Sequence, residues 1–175
     1  LDAGVALGES SPASNAPDYD KALTVSQAAV SREIGEYGLQ DQNRRRVALS
    51  DYRGKPLLVS FVYTACSQAC PAATQFLAKT VKEARAALGS DKFSVVSIGF
   101  NQPFDSPEAM GAFARQNGIR EPAWGFLSTD AAAMEAITRA FGFTWYATPK
   151  GFDHISQVTV VDAGGGLDLA TSGEV

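Results

Sequence analysis

Cysteine, histidine and methionine are all scarce in this chain, which has two cysteines, one histidine and two methionines among 175 residues. Long apolar runs are missing as well. The longest compact one, Leu57 to Tyr63, is far shorter than the ~18 residues that a membrane-spanning helix needs. No such helix is therefore expected in the chain, and the few residues with distinctive chemistry become the informative ones.

Neither sign of charge dominates the sequence. Its 15 Lys and Arg stand against 19 Asp and Glu, which leaves a formal net charge of −4. A mildly acidic protein lacks the basic face that phosphate binding requires, so nucleic acid is excluded as the main partner. The hydrophobic fraction of 45% is that of an ordinary globular domain with a sizeable core.

Two common catalytic patterns are also absent. The glycines Gly164 to Gly166 join two predicted strands and open no helix, so they do not form a phosphate-cradling loop. With a single histidine, His154, no Ser-His-Asp arrangement is evident. Nucleotide hydrolysis and serine hydrolase chemistry are both disfavoured.

The composition divides the chain into a tail and one domain. Residues 1–20 are rich in Ala, Gly, Ser, Pro and Asp and show no apolar period, which predicts a flexible tether. Residues 21–175 are predicted to form a single domain. The chain starts with Leu1 rather than Met, which fits either a processed or a shortened N-terminus, and leaves room for a signal peptide or membrane anchor upstream.

The order of predicted elements indicates a thioredoxin-like α/β fold. Apolar periodicity and turn residues predict a hairpin (36–40 with 46–49), strands at 57–63, 93–100 and 157–162, helices starting at Pro71, Ser106 and Asp130, and a final strand at 167–170. Strands alternating with helices favour a mainly parallel central sheet, to which the last hairpin adds an antiparallel edge. The helix that normally follows this hairpin is not found before Val175, so either it is missing from the sequence given or another segment covers that face of the sheet.

The two cysteines lie in one block, Tyr63-Thr64-Ala65-Cys66-Ser67-Gln68-Ala69-Cys70-Pro71, at the start of a predicted helix. Cys70 is placed at or near the N-cap, where unpaired N–H groups and the helix dipole stabilise a thiolate. Cys66 is one loop turn earlier, close enough to share a disulfide or a metal with Cys70. The spacing alone leaves three interpretations open: a structural disulfide, a redox pair, or two ligands of a metal site, with copper(I) favoured over zinc.

His154 shifts the balance toward a metal. It stands just before a predicted strand, where thioredoxin-like oxidoreductases place a cis-proline facing their cysteines, and Pro149 is too early in the chain to fill that position. Two thiolates and one imidazole form a set that holds both Cu(I) and Cu(II). The neighbouring Asp153 is a candidate to orient the other ring nitrogen of His154, or else a plain loop residue.

The chain at this point resembles the Sco/SenC family of copper-binding proteins, which act in the assembly of cytochrome c oxidase. The resemblance extends from about Gly35 to Ala170. It is carried by Gly35-Glu36-Tyr37-Gly38-Leu39-Gln40-Asp41, Leu49-Ser50-Asp51-Tyr52-Arg53-Gly54-Lys55-Pro56, the Cys-x-x-x-Cys-Pro block, Asp105-Ser106-Pro107-Glu108 and Asp153-His154.

This resemblance implies a copper site made by Cys66, Cys70 and His154 in an extracytoplasmic, usually membrane-tethered domain. The implied task is to supply copper to the binuclear copper site of an oxidase subunit, or to keep its thiols reduced. The partners would then be copper, that oxidase subunit and a thiol reductant. The chain departs from the family at Ser67-Gln68, where Pro-Asp is usual, and at Asn101-Gln102 and Phe104, where Asp-Pro and Arg are usual. These changes alter the rim of the site and leave the three ligands intact.

Three alternatives remain. The strongest is an extracytoplasmic thiol–disulfide oxidoreductase in which one of Cys66 and Cys70 attacks and the other resolves the mixed disulfide. Only His154 separates it from the copper protein, because exchange does not need an imidazole. A peroxiredoxin-like peroxidase and a binding domain with a locked disulfide are weaker candidates.

Overall fold

The computed structural model describes residues 17–173, and this part of the chain contains four α-helices, nine strands and one 3-10 helix. Their order is α1 (Tyr19–Gln27), β1 (Leu39–Asp41), β2 (Arg46–Val47), the 3-10 helix (Leu49–Tyr52), β3 (Leu57–Val62), α2 (Ala69–Leu88), β4 (Ser94–Gly99), α3 (Pro107–Gln116), β5 (Trp124–Ser128), α4 (Ala131–Phe141), β6 (Trp145–Thr148), β7 (Gly151–His154), β8 (Ser156–Val161) and β9 (Leu167–Gly173). No helix among the described residues is both long and apolar enough to cross a membrane.

Seven of the strands form one mixed sheet in the order β2-β1-β5-β4-β3-β8-β9. Strands β3, β4 and β5 run parallel, as the predicted crossovers require, and the strands on either side of them are antiparallel. The hairpins β1–β2 and β8–β9 form the two edges. The predicted thioredoxin-like α/β fold is therefore confirmed.

Helices cover both faces of this sheet. On β3, Phe61 packs edge-on against Phe141 of α4, while the adjacent Ser60 borders a cleft with Thr74 of α2. Because successive side chains of a strand point to opposite faces, α2 and α4 lie on opposite sides of β3. The continuous apolar run predicted for this strand follows directly from burial on both faces.

The structure corrects the sequence analysis at the start of the domain. Residues 1–16 of the predicted tether lie outside the described residues, but Tyr19 and Asp20, also assigned to it, belong to α1. The side chain of Asp18 caps this helix by accepting the N–H of Lys21. The buried face of α1 uses the small residues Ala22 and Ser26, so it carries no apolar period that sequence analysis could detect.

Helix α1 packs where the sheet and α4 meet. Gln27 Nε2 donates a 2.8 Å hydrogen bond to the carbonyl oxygen of Ala170 in β9. At the end of α4, Gly142 is left-handed, with φ of +63°, and an added Cβ would lie 2.4 Å from the Val25 carbonyl oxygen. Helix α1 therefore packs against β9 and the end of α4, where the sequence analysis predicted no helix.

Two further differences concern the site. Helix α2 starts at Ala69, two residues before Pro71, which was expected to open it. The segment before β8 is not a loop, because β6 and β7 form a separate two-stranded hairpin and His154 is the last residue of β7.

Candidate functional site

The topology brings the cysteines and the histidine to one edge of the sheet. The loop with Cys66 leaves the carboxyl end of β3, and α2 then places Cys70 in its first turn. Strand β8 runs antiparallel to β3, with Val158 opposite Ser60, so the residues before β8 return to that same edge. His154, 84 residues after Cys70, therefore meets it in space.

Two of the three predicted ligands are in direct contact. The Sγ atom of Cys70 lies 3.8 Å from Nε2 of His154. The Sγ atom of Cys66 accepts the backbone N–H of Cys70 at 3.2 Å, and both thiols are free. Within residues 17–173, no three His, Cys, Asp or Glu side chains are arranged as a ready metal cage.

The environments of the two thiols are opposite. Cys70 is 2% exposed, and burial, together with the nearby Cys66, raises the pKa of its thiol to about 12. The N-cap of α2 is Gln68, so Cys70 is the second residue of the helix, and burial outweighs the thiolate stabilisation predicted for that position. Cys66 is half-buried, and burial by itself would raise its pKa. Hydrogen bonds from the N–H groups of Cys70 and Gln68 outweigh that effect and hold the Cys66 pKa below its usual value.

His154 presents a free ring nitrogen to Cys70. Burial lowers the pKa of the imidazole, which favours its neutral form. The Nδ1 atom lies 2.9 Å from the carbonyl oxygen of Ile155, and an Nδ1–H donated to that oxygen leaves the Nε2 lone pair facing the Cys70 sulfur. Asp153 does not orient the ring as considered from the sequence, because its carboxylate accepts the hydroxyl of Tyr19.

Aromatic rings surround the imidazole. The ring centroids of Tyr63, Phe100 and Phe143 lie 5.4 to 6.3 Å from that of His154. Tyr63 also hydrogen-bonds the Cys66 side chain through its hydroxyl, which helps to lower the thiol pKa. These rings form an apolar wall on the inner side of the site, and Cys66 is the more accessible sulfur.

A buried carboxylate holds the start of the cysteine loop, and the sequence analysis assigned it no role. Asp105 is fully buried, and its Oδ1 atom accepts both the N–H and the hydroxyl of Thr64 at 2.8 Å. Its Oδ2 atom accepts the N–H of Asn101 at 2.8 Å. Asp105 thereby joins the loop after β3 to the loop after β4. The only signal available in the sequence was its place in the Asp-Ser-Pro-Glu block.

The donor set fits copper. Two ligands at ~2.0 and ~2.3 Å from one ion, at a tetrahedral angle, lie roughly 3.5 Å apart, close to the 3.8 Å between Cys70 Sγ and His154 Nε2. Thiolate sulfur suits Cu(I), and imidazole nitrogen suits either oxidation state. Cys66 would be the third ligand, and its lowered pKa favours the thiolate form that binds a metal.

Comparison with known proteins identifies a family match. The family model SCO1/SenC matches residues 25–173. The SCO1 protein homolog of Bacillus subtilis (strain 168) is 24% identical over 96 residues, or 55% of this chain, and this match spans about half (49%) of the relative's length.

Solved structures share the fold. Bradyrhizobium japonicum ScoI with copper bound is 25% identical, has a TM-score of 0.67 and aligns over 78% of this chain and 87% of its own. BsSco, described as a member of the Sco family of cytochrome c oxidase assembly proteins in which a disulfide switch was identified, is 20% identical. It has a TM-score of 0.71 and aligns over 81% of this chain and 84% of its own.

Proposed function

The chain belongs to the SCO1/SenC family, and on that premise we propose that it binds copper through Cys66, Cys70 and His154. It would deliver the metal to an oxidase copper site or maintain that site's thiols. The observation that carries this proposal is the contact of 3.8 Å between Cys70 Sγ and Nε2 of His154, beside a second free thiol. Copper is here the cargo of the protein.

The proposal extends to partners and place. A copper-receiving oxidase subunit and a thiol reductant would meet the protein at the exposed side of the site, next to Cys66. The protein would act on the extracytoplasmic side of a membrane, in a bacterial periplasm or an equivalent space. Support comes from the family, in which one relative is described as an oxidase assembly protein.

Anaerobic titration of the reduced protein with Cu(II), followed by visible absorption, tests the ligand set. The wild type should develop thiolate-to-copper charge-transfer bands that saturate at one equivalent. Cys66→Ser, Cys70→Ser and His154→Ala should each lose them, with affinity reduced more than about 100-fold, because losing a ligand exceeds the cost of losing an outer-shell partner. Ser67→Ala is the matched control, since this exposed residue lies in the same loop.

Retention of full Cu(II) affinity by His154→Ala would remove the histidine from the site. The absence of any band in the wild type, with only a disulfide formed, would refute copper binding.

A second function is favoured by the unequal thiols. The accessible Cys66 thiolate would attack a partner disulfide, and Cys70 would then displace the partner's dithiol and leave a Cys66–Cys70 disulfide. His154→Ala separates the two functions, because it should abolish copper binding and preserve disulfide exchange. Exchange that depends on His154 would contradict this separation.

A further inference from the structure

The hairpin that carries His154 is not part of the main sheet. Within residues 17–173, β6 and β7 pair with each other and with no strand of the seven-stranded sheet. Strand β8, which pairs with β3, starts two residues after His154, so the main sheet anchors only that end of the hairpin. Side-chain contacts on the two faces of the hairpin hold the rest of it.

The inner face of the hairpin is held by aromatic packing. Phe152 and His154 alternate with Asp153, so they share one face, and both contact Tyr63 and Phe100. Asp153 points the opposite way, away from the cysteines. The N–H of Phe152 also lies 3.5 Å from the hydroxyl of Tyr63, so the inner face is held by ring packing and one long hydrogen bond.

The outer face is held by the start of α1. The hydroxyl of Tyr19 lies 2.9 Å from each carboxylate oxygen of Asp153. Tyr146, the cross-strand partner of Asp153, lies within 3.4 Å of the Asp18 carbonyl oxygen through its own hydroxyl. These directional contacts link the helix to both strands of the hairpin.

Helix α1 is a firm anchor for these contacts. Its buried side, Ala22 and Ser26, packs into the domain, and Gln27 is hydrogen-bonded to β9. Tyr19 precedes residues 25–173, the range that the family model matches, so its link to Asp153 lies outside the family pattern.

We infer that Tyr19 is a positioning residue for the metal site. Its hydroxyl holds Asp153, and Asp153 in turn keeps the neighbouring His154 opposite Cys70. The inference rests on the proposed copper-binding function. Asp153 thus serves the site by its outward bond to α1, while its neighbour His154 faces the thiols.

The test uses Tyr19→Phe, which removes the hydroxyl and keeps the ring, together with Asp153→Ala and the double variant. Tyr37→Phe, at a partly buried tyrosine that packs on the core, is the matched control. Two measurements are made on the same proteins: amide hydrogen exchange of residues 145–154 without metal, and Cu(II) affinity with the absorption spectrum at saturation.

Tyr19→Phe should speed exchange across the hairpin and weaken Cu(II) binding about fivefold, as expected for the loss of one hydrogen bond. The charge-transfer bands should shift, which a merely structural role would not cause. In the Asp153→Ala background the same change should have no further effect, because the two residues act as one contact. Tyr37→Phe should resemble the wild type in exchange and in copper binding.

Unchanged exchange and affinity in Tyr19→Phe would overturn the inference. Equal, additive losses in the double variant would overturn it as well, since Tyr19 would then act independently of Asp153. If the wild type binds no copper, the proposed function fails. The hydrogen-exchange result then decides separately whether Tyr19 holds the hairpin.

Discussion

The link between Thr64 and Asp105 allows a sharp test of how the cysteine loop is held. Thr64→Val keeps the shape of the side chain and removes one hydroxyl donor from a fully buried carboxylate. The N–H of Thr64 and the N–H of Asn101 remain as donors to Asp105. The substitution therefore removes one of three hydrogen bonds to a buried charge.

The expected cost follows from that count. A hydrogen bond to a charged group contributes about 1.5–3 kcal/mol, and leaving a buried acceptor short of a donor adds to the loss. Thr64→Val should lower the free energy of unfolding by about 2 kcal/mol. For a domain of this size the melting temperature should fall by about 4–8 °C.

The stability lost in Thr64→Val should depend on pH, and it should be larger at high pH than at low pH. Burial raises the pKa of Asp105, and the bonds from Thr64 and Asn101 oppose that rise because they favour the ionised form. Without the hydroxyl the pKa of Asp105 rises further. The difference in stability between Thr64→Val and the wild type should therefore be full above the folded-state pKa and shrink as the pH falls through it.

Urea unfolding monitored by tryptophan fluorescence measures this difference at several pH values. Thr64→Ser is the control, because it keeps the hydroxyl and loses only a methyl group. A change of less than about 0.5 kcal/mol in Thr64→Val at neutral pH, or a difference that grows on acidification, would refute the reasoning. The slope of the unfolding curve should stay the same in all three proteins.

Two other perturbations test the packing of α1 and of the first hairpin. Gly142→Ala should destabilise the domain by about 1–3 kcal/mol more than Gly118→Ala in thermal unfolding. Both glycines have positive φ, but only at Gly142 would an added Cβ lie within 4 Å of other backbone atoms. Equal losses would show that α1 does not press on this position. Burial would raise the pKa of Asp41, but bonds from Asn43 and Arg45 outweigh it and lower that pKa from 3.8. Asp41→Asn should therefore lower the free energy of unfolding by ~1 kcal/mol at neutral pH, and this difference from the wild type should vanish as acid titrates the wild-type carboxylate. A difference that persists below that pH range would contradict this role of Asp41.

The elements around the cysteines were predictable because their signals are local. The apolar run from Leu57 shows a strand buried on both faces, and the predicted helix at the cysteine block is α2, which begins two residues earlier than expected. Helix α1 escaped prediction because it buries Ala22 and Ser26. The hairpin ending at His154 also escaped prediction, since it is stabilised by the rings of Tyr63 and Phe100, which directly follow β3 and β4.

The sequence by itself determined which donors are available, namely two thiols and one imidazole, and the strand–loop–helix order that brings them to one edge of the sheet. Only the tertiary structure decided their states. Cys70 became the buried thiol of high pKa, His154 directed Nε2 inward through Ile155, and Asp153 turned outward to Tyr19. The reason is physical: ionisation and hydrogen bonding depend on burial and on groups up to 134 residues away, which local sequence patterns do not encode.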